Sequence, residues 1–91
     1  NEYVDAQVMG MLKMLNIDYY TRWEHVMGKG HGTEPHMGKG TYASTNAALM
    51  IAFEDEAPLA ALIREITAAN EKARRADERI RLFQVPLERV V

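Results

Sequence analysis

The chain has 91 residues, a length that supports one domain and no more. Hydrophobic residues make up 47% and charged residues 26%, the balance of an ordinary globular domain, which excludes a chain disordered throughout. A formal net charge of -2 gives no general attraction to nucleic acid or to an anionic membrane, and the absence of cysteine removes disulfides, thiolate metal sites and cysteine nucleophiles.

No apolar run approaches the roughly 20 residues of a membrane span, and the first residues show no signal-peptide pattern. Membrane insertion is therefore not expected, and a cytoplasmic location is. In chain order, Val4, Val8, Met11, Leu12 and Leu15 fall on one face of a helix running from about Val4 to Leu15. Asp5 suits the positive end of its dipole, Asn16 reads as its end, and Gly10 weakens it by about 1 kcal/mol relative to alanine.

Ile17 to Met27 is rich in β-branched and aromatic residues and reads as a strand. Neither of its faces is cleanly apolar, so the strand belongs at an edge, at a subunit interface or at a bulge. Trp23 fits packing or an interface better than a ligand platform. Residues 28 to 41 then read GKGHGTEPHMGKGT, which holds five of the chain's six glycines. Structureless loops longer than about 12–15 residues are uncommon in compact domains and are usually functional or disordered.

Ala47 to Phe53 is an unbroken apolar run, the mark of a strand buried on both faces or central in a sheet. Glu54, Asp55 and Glu56 end it, and Pro58 is expected as the first residue of a second helix. Leu59, Leu62, Ile63 and Ile66 give that helix its apolar face, to about Asn70 or a little further. The charged stretch Glu71 to Glu78 reads as a solvated helix end and connector. Ile80, Phe83, Val85 and Leu87 give an irregular last strand, capped or kinked by Pro86.

Helix, strand, loop, strand, helix, strand lacks only a first strand to complete a ferredoxin-like βαββαβ unit. The expected class is α+β: one domain over residues 1–91, an antiparallel sheet with two helices on one face. The first strand of that unit lies between the third and fourth, and without it ladder groups on both neighbours stay unpaired. The expectation is a strand upstream of Asn1, seated between Ala47–Phe53 and Ile80–Val85.

Several residues carry candidate chemistry. Gly28-Lys29-Gly30 and Gly38-Lys39-Gly40 suggest a phosphate cradle, but neither completes a Walker or dinucleotide motif. His31 and His36, with Met37 beside the second and His25 on the incoming strand, carry imidazole and thioether groups suited to Zn, Cu or Ni. Asp5, Glu34 and Glu54 offer oxygen donors without a spacing that selects them. Met9, Met11, Met14 and Met50 read as core filling. Ser44 is the sole serine and no carboxylate pair is placed by spacing, so no enzyme is expected.

Tyr19 to Gly30 (YYTRWEHVMGKG) resembles the second strand and loop entry of nitrogen regulatory PII-like proteins. Gly30-His31-Gly32-Thr33-Glu34 resembles the Gly-His-Thr-Glu segment of their signalling T-loop, with one extra glycine. Val85-Pro86-Leu87-Glu88 resembles the last strand of a divergent branch associated with heavy-metal efflux. The resemblance implies a homotrimer whose clefts bind small effectors. It also implies a T-loop over residues 28–46 that docks on a membrane transporter or efflux component through Gly28, Lys29, Gly30, Gly32, Glu34 and Lys39. True PII proteins bind adenine nucleotides with a glycine-rich loop after the second helix. Here Glu71 to Asp77 has no glycine, so ATP or ADP is less expected than a transition-metal ion or a small anion. Arg74, Arg75 and Arg79 remain able to pair with an anion. The alternatives are a ferredoxin-like oligomeric adaptor and a small-ligand domain of the CutA or ACT kind.

Overall fold

The computed structural model describes residues 2–27 and 46–91. It is a small α+β arrangement in the order α1 (Glu2–Met14), β1 (Thr21–Val26), β2 (Asn46–Met50) and α2 (Glu56–Lys72). A single turn of 3-10 helix follows at Ala76–Glu78. The core lies between the helices and one face of the sheet. Met11, Leu12, Ile17, Leu62 and Ile66 are buried, and Leu49, Ile51, Phe53, Ile80 and Leu82 pack against them.

α1 starts two residues before the apolar periodicity does, because Glu2 and Asp5 place carboxylates in its first turn. It ends in a Schellman motif. Asn16 takes the left-handed conformation at φ 60°, the Asn16 N–H donates to the Lys13 carbonyl, and the Ile17 N–H donates to the Leu12 carbonyl at 2.8 Å. The apolar contact that accompanies this motif joins Leu12 to Ile17, 1% and 3% exposed. Ile17 thus belongs to the helix end and core rather than to a strand, and the predicted strand over 17–27 shortens to Thr21–Val26. An L-residue that cannot bond locally is strained at this φ, so Asn16→Ala is expected to cost about 1 kcal/mol in urea unfolding, while Asn16→Gly is tolerated.

β1 and β2 pair antiparallel with Thr21 opposite Met50 and Trp23 opposite Ala48. Trp23 and Val26 then face Ala48 and Asn46, so Glu24 and His25 share the single partner Ala47. This is a β-bulge, and His25 occupies its left-handed position at φ 58°, a place glycine usually fills. Of the alternatives expected for β1, the bulge is present, and among the described residues β2 is the strand it pairs with. A T-shaped ring contact between Tyr19 and Phe53, with centroids 5.9 Å apart, closes the other end of the pair.

β1 turns its charged side toward the helices. Arg22 is half-buried and forms a two-pronged ion pair with Asp5 of α1, at 2.8 and 2.6 Å, while Trp23 is 48% exposed on the outer side. Arg22 also reaches Glu24 at 3.3 Å. The hydrogen bonds and charge of Arg22 hold the Asp5 carboxyl below its ordinary value near 3.8, against the opposing effect of partial burial. A lowered carboxylate contributes stability above the unfolded-state value and loses it as pH falls through the folded one. Asp5→Asn should therefore lower the urea midpoint at neutral pH. The gap from the parent should shrink to nothing as pH falls below the ordinary carboxylate range.

Three expectations are corrected. The run Ala47–Phe53 is not buried on both faces: Ala48 and Met50 are exposed while Leu49, Ile51 and Phe53 are half-buried, because nothing among the described residues covers the second face. Met50 and Met14, 59% and 63% exposed, do not fill the core; Met11 does and Met9 packs beside it. Pro58 is the third residue of α2 rather than the first, still within the turn whose N–H groups need no helical acceptor.

The sheet has two strands among the described residues, which is compatible with part of a ferredoxin-like sheet. Among the described residues no strand lies between Ala47–Phe53 and Ile80–Val85, and residues 79–91 form none themselves. A strand is defined by its ladder, and residues 80–85 have no neighbouring main chain to pair with among the described residues. A side chain takes that place. Asn70, near the end of α2, accepts a hydrogen bond from the Ile80 N–H at 2.7 Å and donates to the Ile80 carbonyl at 2.8 Å. Its amide reproduces for one residue the paired bonds of a β-bridge. Ile80 and Leu82 consequently reach the core, while Phe83, Val85 and Leu87 are 83%, 78% and 67% exposed.

Candidate anion-binding site

The fold gathers arginines where α2 ends. The helix finishes at Lys72, its Ala73 N–H donating to the Asn70 carbonyl at 3.2 Å, and Ala73 leaves in an extended conformation. Arg74 and Arg75 follow directly. The 3-10 turn at Ala76–Glu78 then reverses the chain: the Arg79 N–H donates to the Ala76 carbonyl, and the Asn70 clamp draws Ile80 back against α2. Arg79 is extended, and Arg79 and Arg81, two residues apart, line the same space. The result is an open cavity of about 510 Å³ lined by Arg74, Arg75, Arg79 and Arg81, with Asn70 and Ile80 at its wall.

Positive charge dominates here although the chain as a whole carries -2. Arg75 is engaged by Asp77, with two hydrogen bonds of 3.0 and 2.7 Å, and that pairing raises its guanidinium above its ordinary range. Among the described residues Arg74, Arg79 and Arg81 have no carboxylate partner. All four side chains are exposed. Exposed guanidiniums beside a helix C-terminus also complement its dipole, the ordinary reason for basic residues there. The concave arrangement adds forked donors from two stretches of chain converging on one space, the geometry that suits a multidentate oxyanion.

Of the residues singled out in the sequence for an anion, Arg74, Arg75 and Arg79 are brought together. Arg81 and Asn70 were missed. The alternation of Arg79 with Arg81 was a usable signal for the first. Nothing in the sequence marks Asn70, whose role exists only because Ile80 lies beside it. A second open cavity, of about 560 Å³, runs along α2 and the following segment from Ile63 and Ile66 to Phe83 and Gln84, and shares Asn70, Ile80 and Arg81 with the first.

The loop residues Gly28, Lys29, Gly30, His31, Gly32, Glu34, His36, Met37 and Lys39 lie outside the described residues. His25, the remaining metal candidate, sits exposed in the bulge of β1. Among the described residues no three of His, Cys, Asp and Glu are grouped to hold a metal ion. Of the oxygen donors considered, Asp5 is committed to Arg22. No helix among the described residues is long and apolar enough to cross a membrane.

Comparison with known proteins returns no match: no family model, no curated protein and no solved structure aligns with this chain.

Proposed function

We propose that this chain is a non-enzymatic, PII-like regulatory domain that senses a small anion at the arginine-lined cleft and acts on a transporter or efflux protein through residues 28–46. The reading joins the resemblance in residues 19–34 and 85–88 to one structural observation: four arginines from both sides of a turn line one cavity, three of them without a carboxylate partner among the described residues. The small α+β arrangement with helices on one face of an antiparallel pair is compatible with part of a ferredoxin-like unit. The homotrimer and the partner are proposed from the resemblance alone.

The observation also ranks the effectors. A guanidinium cluster recognises oxyanions, and the missing glycines between Glu71 and Asp77 remove the close backbone approach that a nucleotide phosphate chain normally uses. A compact multivalent oxyanion fits better than an adenine nucleotide. Inorganic pyrophosphate titrated calorimetrically into the whole chain at low ionic strength is expected to bind once per chain and to outcompete ATP. Absence of any pyrophosphate binding would remove the anion reading and leave the oligomeric adaptor. Sedimentation of the same samples tests the trimer separately.

A further inference from the structure

Resting on the anion reading above, we propose that Asp77 is a resident competitor in this cleft: its carboxylate holds the fork of Arg75 in the free protein, and a multivalent oxyanion binds by taking that place. The two side chains lie two residues apart on one turn. The Arg75 Nε–H donates to Oδ1 of Asp77 at 3.0 Å, and its Nη2 donates to Oδ2 at 2.7 Å. This is the side edge of the guanidinium, which offers two parallel donors to two oxygens of one acceptor. A phosphate-like oxyanion uses the same edge in the same way, so carboxylate and ligand compete for it. Glu78, the next residue, acts on Arg75 through its charge alone.

The placement of these carboxylates fits that role. Arg74, Arg75, Ala76 and Arg79 line the cavity, and Asp77 and Glu78 are not among its lining. Asp77 therefore ties an arginine of the cleft from beside the cleft, without filling it. The turn keeps its shape by other means: the Glu78 N–H donates to the Arg75 carbonyl at 3.1 Å, and the Arg79 N–H to the Ala76 carbonyl at 3.2 Å. Exchange of partners thus asks two exposed side chains to move and leaves the main chain where it is. The side chains of Arg75 and Asp77 are 71% and 44% exposed, and an exposed ion pair holds its partners by a factor of only about two to five. An anion that meets Arg75 alone gains back little more than it displaces. One that carries several charges also reaches Arg74, Arg79 and Arg81, which line the same space and have no counterpart in the Asp77 pair. Asp77 thus lowers the affinity of every anion and leaves a useful margin only to multivalent ones.

The test is calorimetric titration of inorganic pyrophosphate into the whole 91-residue chain at one fixed, low ionic strength. Asp77→Asn should tighten binding about fivefold, the upper end for release of an exposed pair. Glu78→Gln removes a charge from the same turn but no hydrogen bond of Arg75, and should tighten binding about twofold or less. In an Arg75→Ala background, Asp77→Asn should likewise change the affinity about twofold or less, because no fork remains to be freed. Equal gains from Asp77→Asn and Glu78→Gln, or an undiminished gain without Arg75, overturn the competitor role while the anion reading stands; the carboxylate then acts only through its field. Weaker binding by Asp77→Asn overturns it as well and makes Asp77 a support for Arg75. Absence of pyrophosphate binding by the parent chain removes the anion reading and the competitor with it.

Discussion

Leu12→Ala is expected to be the most damaging single substitution in the described core, with a loss of about 3–5 kcal/mol. Leu12 is 1% exposed, the largest fully buried side chain, and packs among Met11, Ile17, Leu62 and Ile66. Its removal takes away burial and leaves a cavity that two helices and a two-stranded sheet are too few to close. It also strips the apolar contact from the Schellman motif, where the Leu12 carbonyl accepts the Ile17 N–H. Domains of this size have total stabilities on the order of 5–14 kcal/mol, so the variant should lose a large fraction of that stability. Urea unfolding followed by circular dichroism measures it. Met14→Ala, at a side chain 63% exposed on the same helix, should shift the midpoint hardly at all. Equal effects from the two would mean that the core does not lie where Leu12 is.

Arg79→Ala combined with Arg81→Ala is expected to weaken pyrophosphate binding roughly 100-fold. A hydrogen bond to a charged group contributes about 1.5–3 kcal/mol, and each 1.4 kcal/mol is tenfold in affinity. Both side chains are exposed, so the effect belongs near the lower end and should shrink as salt is raised. Asp77→Asn should act in the opposite direction, because it frees Arg75 from the carboxylate that now occupies both prongs of its guanidinium. Arg64→Ala, on α2 away from the cleft, is the control and should change nothing. Calorimetric titration reads all three variants. An unchanged affinity in the double variant would mean that the cleft is not where the anion sits.

Local signals in the sequence carried far where they depended on neighbours in the chain. The spacing of Leu59, Leu62, Ile63 and Ile66 placed α2, and Asn16 marked the end of α1, because helical hydrogen bonds and caps are made within a few residues. The mixed character of residues 17–27 left an edge, an interface or a bulge open, and the structure has the bulge. The reading broke down where a partner far along the chain decides. Alternation alone left neither face of β1 cleanly apolar, and Arg22 turns inward because Asp5, 17 residues earlier, pairs with it. Ile80 to Leu87 has strand-like composition, yet a ladder needs an adjacent backbone and among the described residues only the Asn70 side chain supplies those bonds.

The sequence by itself determined that this is a small α+β chain with two amphipathic helices, a strand of mixed character and an arginine-bearing connector, since each follows from periodicity, caps and charge. Only the tertiary structure decided that Arg74, Arg75, Arg79 and Arg81 line one cavity and that Asn70 pairs with the main chain of Ile80 between two of them. The 3-10 turn and the ten-residue reach of Asn70 to Ile80 bring those guanidiniums together. Convergence of that kind depends on where the chain returns in space, and spacing along the sequence does not encode it.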